Sequence, residues 1–456
     1  MKNKKRSKII KLLVTFVIIS IIAGVCIKRW NAWFGNPVEP PYVSSDVPAR
    51  IQLTFGNDGQ FSRNISWQCG DTTANSHLFI VKTTTTDTIT VAAEGKMLHT
   101  QGGTTVLYRA KLVDLAEGEY SYSVCTGNRQ SNWHNFTVSA NNNFHFVYIG
   151  DIQDTINGIT KNLFASINQR ERDAAFWVFG GDVIERPHDR YWNEYFTSMD
   201  SIAQTMPVIA CPGNHEYHKG VVGKLDERFV YTFSHLVDSR SNGHAVFDMR
   251  YGNAVVITLD SNSDAWTLFS QRRRLKQSLQ KAQDAEWKIV ILHHPFYSVR
   301  GKFKHYFIRH LFDPLIREYG VDIVLQGHEH CYARMITNDK TNTPVTPVYL
   351  ISQFSPKDYR INFNKKYDRF GNGFRFYQTV DIGGDTLSLK TYTENNELYD
   401  YIRIVKSGGK LQVSDLASDI PEYLDINLSR IKKMKPAAKE AYRREIENRL
   451  QLYKYP

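Results

Sequence analysis

The stretch FHFVYIGD, Phe144–Asp151, is an apolar run of strand-forming residues that ends in a glycine and an aspartate. Four later segments repeat this pattern: FWVFGGD (Phe176–Asp182), VIACPGNH (Val208–His215), KIVILH (Lys288–His293) and VDIVLQGHEH (Val321–His330). In each, strand-favouring residues give way to Gly, Pro or a polar break where an Asp, Asn or His appears. Because strands of layered α/β proteins present ligands at their carboxyl ends, we expect the five ends to form one site.

The side chains at these five ends have the chemistry of metal ligands. Carboxylate and amide oxygens together with imidazole nitrogens suit Zn, Fe or Mn better than Ca, which prefers oxygen alone. Two carboxylates and at least three histidines exceed the needs of one catalytic ion, and they match two ions that share a carboxylate. Such a pair favours the hydrolysis of phosphate esters. Taken singly, Asp151, Asp182 and Asn214 are also ordinary turn residues.

The order of these motifs resembles that of the calcineurin-like metallophosphoesterase superfamily. The matching residues are Gly150–Gln153 (GDIQ), Gly181–Asp182, Gly213–Glu216 (GNHE), His293–Pro295 (HHP) and Gly327–His330 (GHEH). A fibronectin-like region in front of them narrows the resemblance to relatives of the purple acid phosphatases.

The resemblance implies a role for each of these side chains. Asp151 and His330 would hold a first metal ion, Asp182 would bridge both ions, and Asn214, His293 and His328 would hold the second. His215 would face the substrate phosphate as a stabiliser or proton donor. His294 and His305 would also belong to the catalytic group.

Two positions depart from the purple acid phosphatase pattern. The tyrosine that colours those enzymes falls three residues after the bridging aspartate, where this chain has Glu185. Gln153 stands where the commoner motif has histidine. Each is a candidate metal ligand, and the alternatives are a loop residue for Glu185 and a hydrogen bond to a metal-bound water for Gln153.

The amino-terminal residues predict export. Basic residues Lys2–Lys11 precede the uncharged run Leu12–Ile27, which is slightly shorter than the roughly 20 residues of a spanning helix. We interpret this segment as a transmembrane anchor, with a cleaved signal peptide as the alternative. The heavier charge before the run keeps that end inside, so the remainder would be extracytoplasmic, whether periplasmic, cell-surface or secreted.

Composition narrows the class of partner. The 42% apolar and 13% aromatic fractions are typical of an ordered globular protein. The formal charge of +11 arises largely from the two termini, and the folded body lacks interleaved aromatic and basic residues. We therefore expect a membrane and a phosphate ester as partners, and no nucleic acid.

The chain divides into five predicted parts. They are an anchor or signal segment (1–30), a Pro-rich linker (31–46), an all-β sandwich similar to fibronectin type III (47–140), a metallophosphoesterase domain (143–405) and a charged, partly helical tail (406–456). The sandwich is indicated by short alternating strands, and its resemblance to fibronectin rests on Ile65–Trp67 and Leu115–Tyr122. The fold class is α/β (α+β), with a four-layer metallophosphoesterase β-sandwich flanked by helices.

The predicted function is an exported, binuclear-metal phosphoesterase, similar to acid phosphatases. It would hydrolyse phosphomonoesters by in-line attack of a metal-bound hydroxide. One alternative is a phosphodiesterase of the same superfamily. Another is a non-catalytic surface scaffold or adhesion protein with a vestigial phosphatase domain.

Overall fold

The computed structural model describes residues 2–241, 245–301, 304–339, 341–427 and 429–454. Its first element is the helix α1 (Lys2–Phe34). Within it, Lys11–Ala32 is long and apolar enough to cross a membrane, and none of the most apolar part is buried against the protein. The chain after α1 lies against the folded body, with Glu39 buried and the amide of Tyr42 donating to the carbonyl of Gly102.

The next region is an all-β sandwich. Its strands are β1 (Ala49–Gly56), β2 (Gly59–Gln68), β3 (Ser76–Lys82), β4 (Ile89–Ala92), β5 (Glu94–His99), β6 (Thr104–Leu112), β7 (Gly118–Thr126), β8 (Arg129–Gln130) and β9 (His134–Val138). Strands β1, β2, β6 and β5 form one face, while β4, β3, β7, β8 and β9 form the other. Trp67 is fully buried between them, and the Tyr120 hydroxyl donates to the carbonyl of Ala116 at 2.9 Å. The short alternating strands predicted for this region are present.

An α/β region with two large sheets follows. Its elements as far as the HHP motif are β10 (Phe144–Ile149), α2 (Thr160–Arg170), β11 (Trp177–Phe179), α3 (Asp189–Met199), α4 (Ile202–Thr205), β12 (Val208–Ala210), a 3₁₀ turn (Asn214–Glu216), β13 (Tyr217–His218), β14 (Lys224–Leu225), α5 (Glu227–Thr232), α6 (His235–Ser241), β15 (Val246–Tyr251), β16 (Ala254–Leu259), α7 (Ala265–Lys281) and β17 (Trp287–Leu292).

The chain continues with α8 (Tyr306–Glu318), β18 (Ile323–Gln326), β19 (Tyr332–Asn338), β20 (Pro344–Ile351), β21 (Arg369–Gly371), β22 (Phe376–Gly383), β23 (Thr386–Thr393), β24 (Leu398–Ser407), β25 (Lys410–Asp415), α9 (Ser429–Lys432) and α10 (Pro436–Lys454).

The two sheets pack face to face, with helices on their outer sides. One sheet has the order β25-β24-β23-β22-β10-β11-β12-β1-β2-β6-β5, so that the first β-sandwich continues it through β1. The other has the order β15-β16-β17-β18-β20-β19-β21. Side chains of both sheets meet in one apolar core, exemplified by Phe146, Val178, Ile289 and Leu325. The helices α7 and α8 cover the outer face of the second sheet through a separate core. This layered arrangement agrees with the predicted fold class.

Strand direction brings the five motifs together. Strands β10, β11 and β12 are parallel to one another, as are β16, β17 and β18. Every residue of β16 and β18 is buried, which explains their continuous apolar sequence. Each of β10, β11, β12, β17 and β18 ends within a few residues of a predicted ligand, so the ligands meet at one edge of the sandwich.

The carboxyl-terminal segment, which was predicted to be a charged tail, packs against the rest of the protein. Strand β25 lies within that segment and pairs with β24, which extends the large sheet. The predicted tail helix forms as α10, but it is not simply solvated, because Tyr442 is fully buried and Ile446 nearly so. Earlier in the chain, α3 and α4 are separated at Asp200, where φ is 47°.

Candidate metal centre

Two groups of metal-donor side chains share Asp182. One group contains Asp182, His293 and His328, and the other contains Asp151, Asp182 and His330. Within each group, the donor atoms all lie within 4.8 Å of one another. Asp182 therefore lies where its carboxylate can reach two ions.

Asn214 joins the first group through its side-chain oxygen. Its Oδ1 lies 3.2 Å from Nε2 of His293, which is also 3.2 Å from Nδ1 of His328 and 3.3 Å from Oδ2 of Asp182. The other ring nitrogen of His293, Nδ1, contacts the carbonyl of Gly180 at 2.9 Å. Since a carbonyl only accepts, Nδ1 carries hydrogen and Nε2 is directed at the other donors, as in histidine ligands of metals.

The second group contains a buried oxygen that lacks a partner. Oδ2 of Asp151 accepts a hydrogen bond of 2.6 Å from the amide of His328, whereas Oδ1 is buried without any hydrogen-bond partner among the described residues. Buried carboxylate oxygens are costly unless they are paired or bind a cation. A metal ion between Asp151, Asp182 and His330 would supply this missing partner, so the donor set fits the implied group.

The backbone of the donors is held in an unfavourable conformation. The φ angles of Asp151, Asp182, His328 and His330 are 53°, 52°, 73° and 47°. This left-handed region is uncommon for residues other than glycine, and its strain is concentrated at functional sites. The sheets and loops around the donors therefore impose the directions of these four side chains.

Two glycines allow the donor loops to approach each other. A β-carbon on Gly181, where φ is 86°, would lie 2.7 Å from Nδ1 of His293. A β-carbon on Gly213 would lie 2.2 Å from Oδ1 of Asp182. Any larger residue at either position would displace a predicted ligand.

The electrostatics of the cluster indicate a need for positive charge. Burial opposes ionisation of Asp182, but the charges of His293 and His215 hold its pKa well below the usual range. Burial likewise opposes charge on His293, yet Asp182 raises its pKa to about 10. Burial, reinforced by the charge of Asp182, raises the pKa of Asp151 to about 8. A bound cation would take over the charge compensation that protons otherwise provide.

Burial has the opposite consequence for the remaining donor histidines. It lowers the pKa of His328 and of His330 well below the ordinary value. Both imidazoles are therefore neutral, which is the form that binds metal ions. Nδ1 of His330 contacts the hydroxyl of Ser355 at 2.8 Å, which fixes the orientation of the ring.

His215 lies at the open side of the cluster. Its amide donates to Oδ1 of Asp182 at 2.8 Å, and its ring Nδ1 lies 2.6 Å from the carbonyl of Glu185. Nε2 lies 3.9 Å from Oδ2 of Asp182, and a quarter of the side chain is exposed. The ring is therefore held by one nitrogen and presents the other to any molecule above the donors.

His294 and His305 stack beside the first donor group. The ring centroids of His294 and His305 are 4.6 Å apart, and that of His294 is 4.3 Å from His328. Nδ1 of His294 contacts the hydroxyl of Ser261 at 3.0 Å, and burial lowers the pKa of His294 well below its usual value. Nε2 of His305 lies 3.6 Å from Oε1 of Glu329. The structure thus brings both predicted histidines to the site.

Gln153 and Glu185 converge on a lysine that sequence reasoning missed. Nζ of Lys357 lies 2.6 Å from Oε2 of Glu185, which is outside both donor groups. With its amide nitrogen toward Asp182, Gln153 donates to Oδ2 at 3.3 Å and accepts from Lys357 at 3.1 Å. Lys357 therefore adds a fixed positive charge at the edge of the second group. No sequence motif around it indicated this position.

Two buried glutamates support the donor loops, and this role was not predicted from the sequence. Glu216 accepts hydrogen bonds from the amides of Asp182, Val183, Ile184 and Gly213 at 2.7–3.2 Å. A second glutamate, Glu329, is likewise fully buried and accepts from the hydroxyl of Ser298 and the amide of Val299. Glu216 comes two residues after the predicted ligand Asn214 in GNHE, and Glu329 comes directly after the predicted ligand His328 in GHEH. These positions within the motifs are the sequence signal that would have identified both glutamates.

Comparison with known proteins agrees with this geometry. The family described as calcineurin-like phosphoesterase matches residues 144–332, which contain every predicted ligand. The chain carries a calcineurin-like phosphoesterase domain. In front of this phosphoesterase domain, residues 48–138 match the family described as purple acid phosphatase, N-terminal domain. The β-sandwich is therefore of that type, and its similarity to fibronectin type III stays a prediction.

Relatives of this chain include purple acid phosphatases of plants. Purple acid phosphatase 18 of Arabidopsis thaliana is 24% identical over 67% of this chain and 71% of its own length. Purple acid phosphatase 23 of the same plant is 28% identical over 37% of this chain and 38% of its own length. A third relative, probable inactive purple acid phosphatase 9, is 24% identical over 52% of this chain and 44% of its own length.

A solved structure shares the overall fold. The structure of PhoD superposes with a TM-score of 0.55 at 11% identity, covering 90% of this chain and all of that one. This likeness shows the fold, while the family match and the plant relatives support a metal-dependent phosphoesterase.

Proposed function

We propose that this protein is an exported, membrane-anchored phosphatase that hydrolyses phosphomonoesters with two metal ions. The observation that carries the proposal is the position of Asp182, which belongs to both donor groups. Support for the phosphatase activity comes from the plant relatives, and support for the anchor comes from the apolar helix α1.

Six side chains would hold the two ions. Asp151, Asp182 and His330 would bind one, and Asp182 with Asn214, His293 and His328 would bind the other. Two bound cations would supply the positive charge that activates water and neutralises the phosphoryl oxygens. Zn, Fe and Mn all suit these donors.

The remaining residues would position substrate and move a proton. His215 is held by Nδ1, so its Nε2 is available to donate a proton to the leaving oxygen of the ester. His294 and His305 form one wall of the site and would contact the substrate phosphate. The ammonium of Lys357, positioned by Glu185 and Gln153, would be available to contact the substrate phosphate.

Metal content and activity together test this proposal. We expect about two transition-metal ions per chain, and turnover of nitrophenyl phosphate that exceeds turnover of its bis ester. Asp182→Asn should lose both a metal ion and at least about 100-fold in kcat/KM. Asp381→Asn, an exchange of the same kind on β22, is the matched control because its partner Lys390 lies outside the site.

Contrary results would separate the alternatives. Faster turnover of the bis ester would favour the phosphodiesterase. Metal-free protein without turnover after addition of Mn, Zn or Fe would favour a scaffold, in keeping with the relative named as probably inactive.

A further inference from the structure

Large apolar side chains are exposed on the loops that surround the candidate metal centre. Val221 and Val222 follow the GNHE motif and are 74% and 69% exposed. Trp266 is 85% exposed near the start of α7, just beyond the end of β16, and Phe307 is 48% exposed near the start of α8, just beyond His305. Each of these loops follows a strand or motif whose carboxyl end faces the site.

These side chains lie on loops and helix starts that neighbour one another. The rings of Phe269 on α7 and Phe307 on α8 are 5.9 Å apart, so the two helix starts are in contact. A surface cavity of about 310 Å³ lies between the Val222 loop and α7, lined by Gly223 and Thr267 among others. We call this surface, formed by Val221, Val222, Trp266, Phe269, Tyr306 and Phe307, the apolar rim.

The linker just after α1 is hydrogen-bonded to the loop that carries Val221 and Val222. The side chain of Asn36 donates to the carbonyl of Lys219 at 2.9 Å and accepts from the amide of Lys219 at 2.7 Å. Lys219 precedes Val221 by two residues. The apolar span of α1 ends at Ala32, so four residues, or at most about 14 Å, separate it from Asn36. With α1 in a bilayer, as proposed above, the membrane surface would lie close to the loop of Val221 and Val222.

The same linker also forms part of the site. A cavity of about 280 Å³ is lined by Asn36, Pro37 and Glu39 on one side and by Asn214 and His215 on the other. The linker is held there by Glu39, which is buried and accepts from Arg228 at 2.6 Å and from the amide of Asp189 at 2.6 Å. The site therefore opens beside the point where the chain leaves the bilayer.

We propose that the apolar rim rests on the bilayer that holds α1, and that the substrate is a phosphomonoester on a membrane lipid. This inference rests on the proposed anchored phosphatase. Exposed valines and aromatic rings in one surface are typical of partial insertion at a lipid interface. The exposed Lys219 and Lys304, on loops of the same face, would attract anionic headgroups. A lipid phosphate would then reach the donors without leaving the membrane surface.

A polarity-sensitive dye tests the contact without any need for activity. The full chain with Cys26→Ser, whose other four cysteines are buried, would carry the dye at Val222→Cys or Trp266→Cys. In vesicles of phosphatidylcholine and phosphatidylglycerol, both positions should show blue-shifted emission and quenching by lipid-attached nitroxide. Leu411→Cys is the control, because this residue is 37% exposed on β25 at the opposite end of the sheet from Asp151.

The dye measurement has two outcomes that overturn the inference. In the first, vesicle-bound protein shows the same emission and the same nitroxide quenching for dye at positions 222 and 266 as for dye at position 411. In the second, full-length protein does not float with vesicles, which would also remove the anchor. Failure of the metal-loaded protein to hydrolyse nitrophenyl phosphate would instead contradict the proposed phosphatase activity. The dye result does not depend on that activity, so the two failures can be distinguished.

Turnover measurements test the substrate class. The triple variant Val221→Ser/Val222→Ser/Trp266→Ser should lose about 10-fold or more in kcat/KM for phosphatidic acid in vesicles. Its turnover of soluble nitrophenyl phosphate should stay within about 2-fold of wild type, and Leu411→Ser should match wild type on both substrates. Equal losses on both substrates, or wild-type protein that hydrolyses nitrophenyl phosphate but no phosphatidic acid, would overturn the proposal.

Discussion

Glu216 holds the loop that follows β11 against the loop that follows β12. Its carboxylate accepts from four amides, including those of Asp182 and Gly213. Glu216→Gln replaces one acceptor by an NH₂ group that faces amide donors. We expect metal affinity to fall about 10–100-fold, measured by metal titration and by metal content after dialysis, because supporting hydrogen bonds orient the ligands. The exposed Glu397→Gln should bind metal like wild type, and an unchanged affinity in Glu216→Gln would contradict this role.

Gly213 is a second residue on which ligand geometry depends. The β-carbon of Gly213→Ala would lie 2.2 Å from Oδ1 of Asp182, so the carboxylate must move. We expect the free energy of unfolding to fall by about 1–3 kcal/mol, the range for overpacked sites, and phosphatase activity to fall sharply. Gly383→Ala is the matched control, since its β-carbon would meet only Oδ1 of Asn143 at 3.7 Å. Equal behaviour of the two variants in urea unfolding and turnover would refute the argument.

His235 makes stability depend on pH at a position away from the donors. Burial lowers its pKa to about 3, although Nε2 contacts the carbonyl of Ala210 at 3.2 Å. In the unfolded chain the pKa of a histidine is about 6.5. Between about pH 3 and pH 6.5, the unfolded chain therefore binds a proton at His235 that the folded protein does not. The contribution of neutral His235 is thus complete above about pH 6.5 and is lost as the pH falls toward 3, by up to about 1.4 kcal/mol per pH unit.

Urea unfolding from pH 7 to pH 4, with chelator present throughout, measures this effect. His235→Gln should flatten the acid side of the profile relative to wild type, and His310→Gln on the surface of α8 serves as the comparison. An acid slope in His235→Gln as steep as in wild type would show that other groups cause it.

For individual residues, the sequence was enough to predict the metal ligands but not the side chains that orient those ligands. Asp151, Asp182, Asn214, His293, His328 and His330 could be recognised because each follows a short apolar strand at a fixed break. Lys357 escaped because its contacts with Glu185 and Gln153 join loops more than 170 residues apart in sequence. Glu216 was visible as part of the GNHE motif, but its role was not, because its partners are backbone amides that the sequence does not identify.

Among the elements, the linker after α1 is the one whose structure differs most from its sequence prediction. A Pro-rich segment is typical of an extended spacer, yet Glu39 is buried with Arg228 in an ion pair of 2.6 Å. Glu39→Gln should lower the free energy of unfolding by about 2–4 kcal/mol, because it removes one partner of a buried charge. Thermal and urea unfolding measure the loss.

The control for this prediction is an exposed glutamate in the same kind of pair. Glu94 is 75% exposed and lies 2.9 Å from Arg109. Glu94→Gln should cost less than about 1 kcal/mol, because solvent screens surface pairs. A loss for Glu39→Gln as small as that for Glu94→Gln would mean that the linker contributes little to the fold.

Strands buried on both faces were the easiest elements to predict. β10, β17 and β18 are largely apolar runs that end near predicted ligands, and the parallel arrangement explains why no alternation is visible. The edge strand β25 was assigned to the tail because residues Lys410–Asp415 have few apolar side chains. Its pairing with β24 depends on the register of a neighbour, which local sequence does not contain.

For the whole molecule, bound metal should be a major source of stability. The predicted metal ligands come from both sheets, since β10, β11 and β12 lie in one and β17 and β18 in the other. Metal at 100 to 1,000 times its dissociation constant stabilises the folded state by roughly 3–4 kcal/mol per ion. Chelation should therefore lower the unfolding midpoint of wild type substantially in calorimetry. Asp182→Asn should respond much less, and an equal response would place the stabilising metal elsewhere.

The linker after α1 packs against the folded body, so it limits how far the chain can be shortened when α1 is removed. Residues Asn36–Glu39 line the pocket beside His215, although the matched family region begins only at residue 48. A truncation that starts at Val47 would strip Arg228 of one carboxylate and open that side of the pocket to water. A version that starts at Gly35 would keep both features and remove only the apolar helix α1.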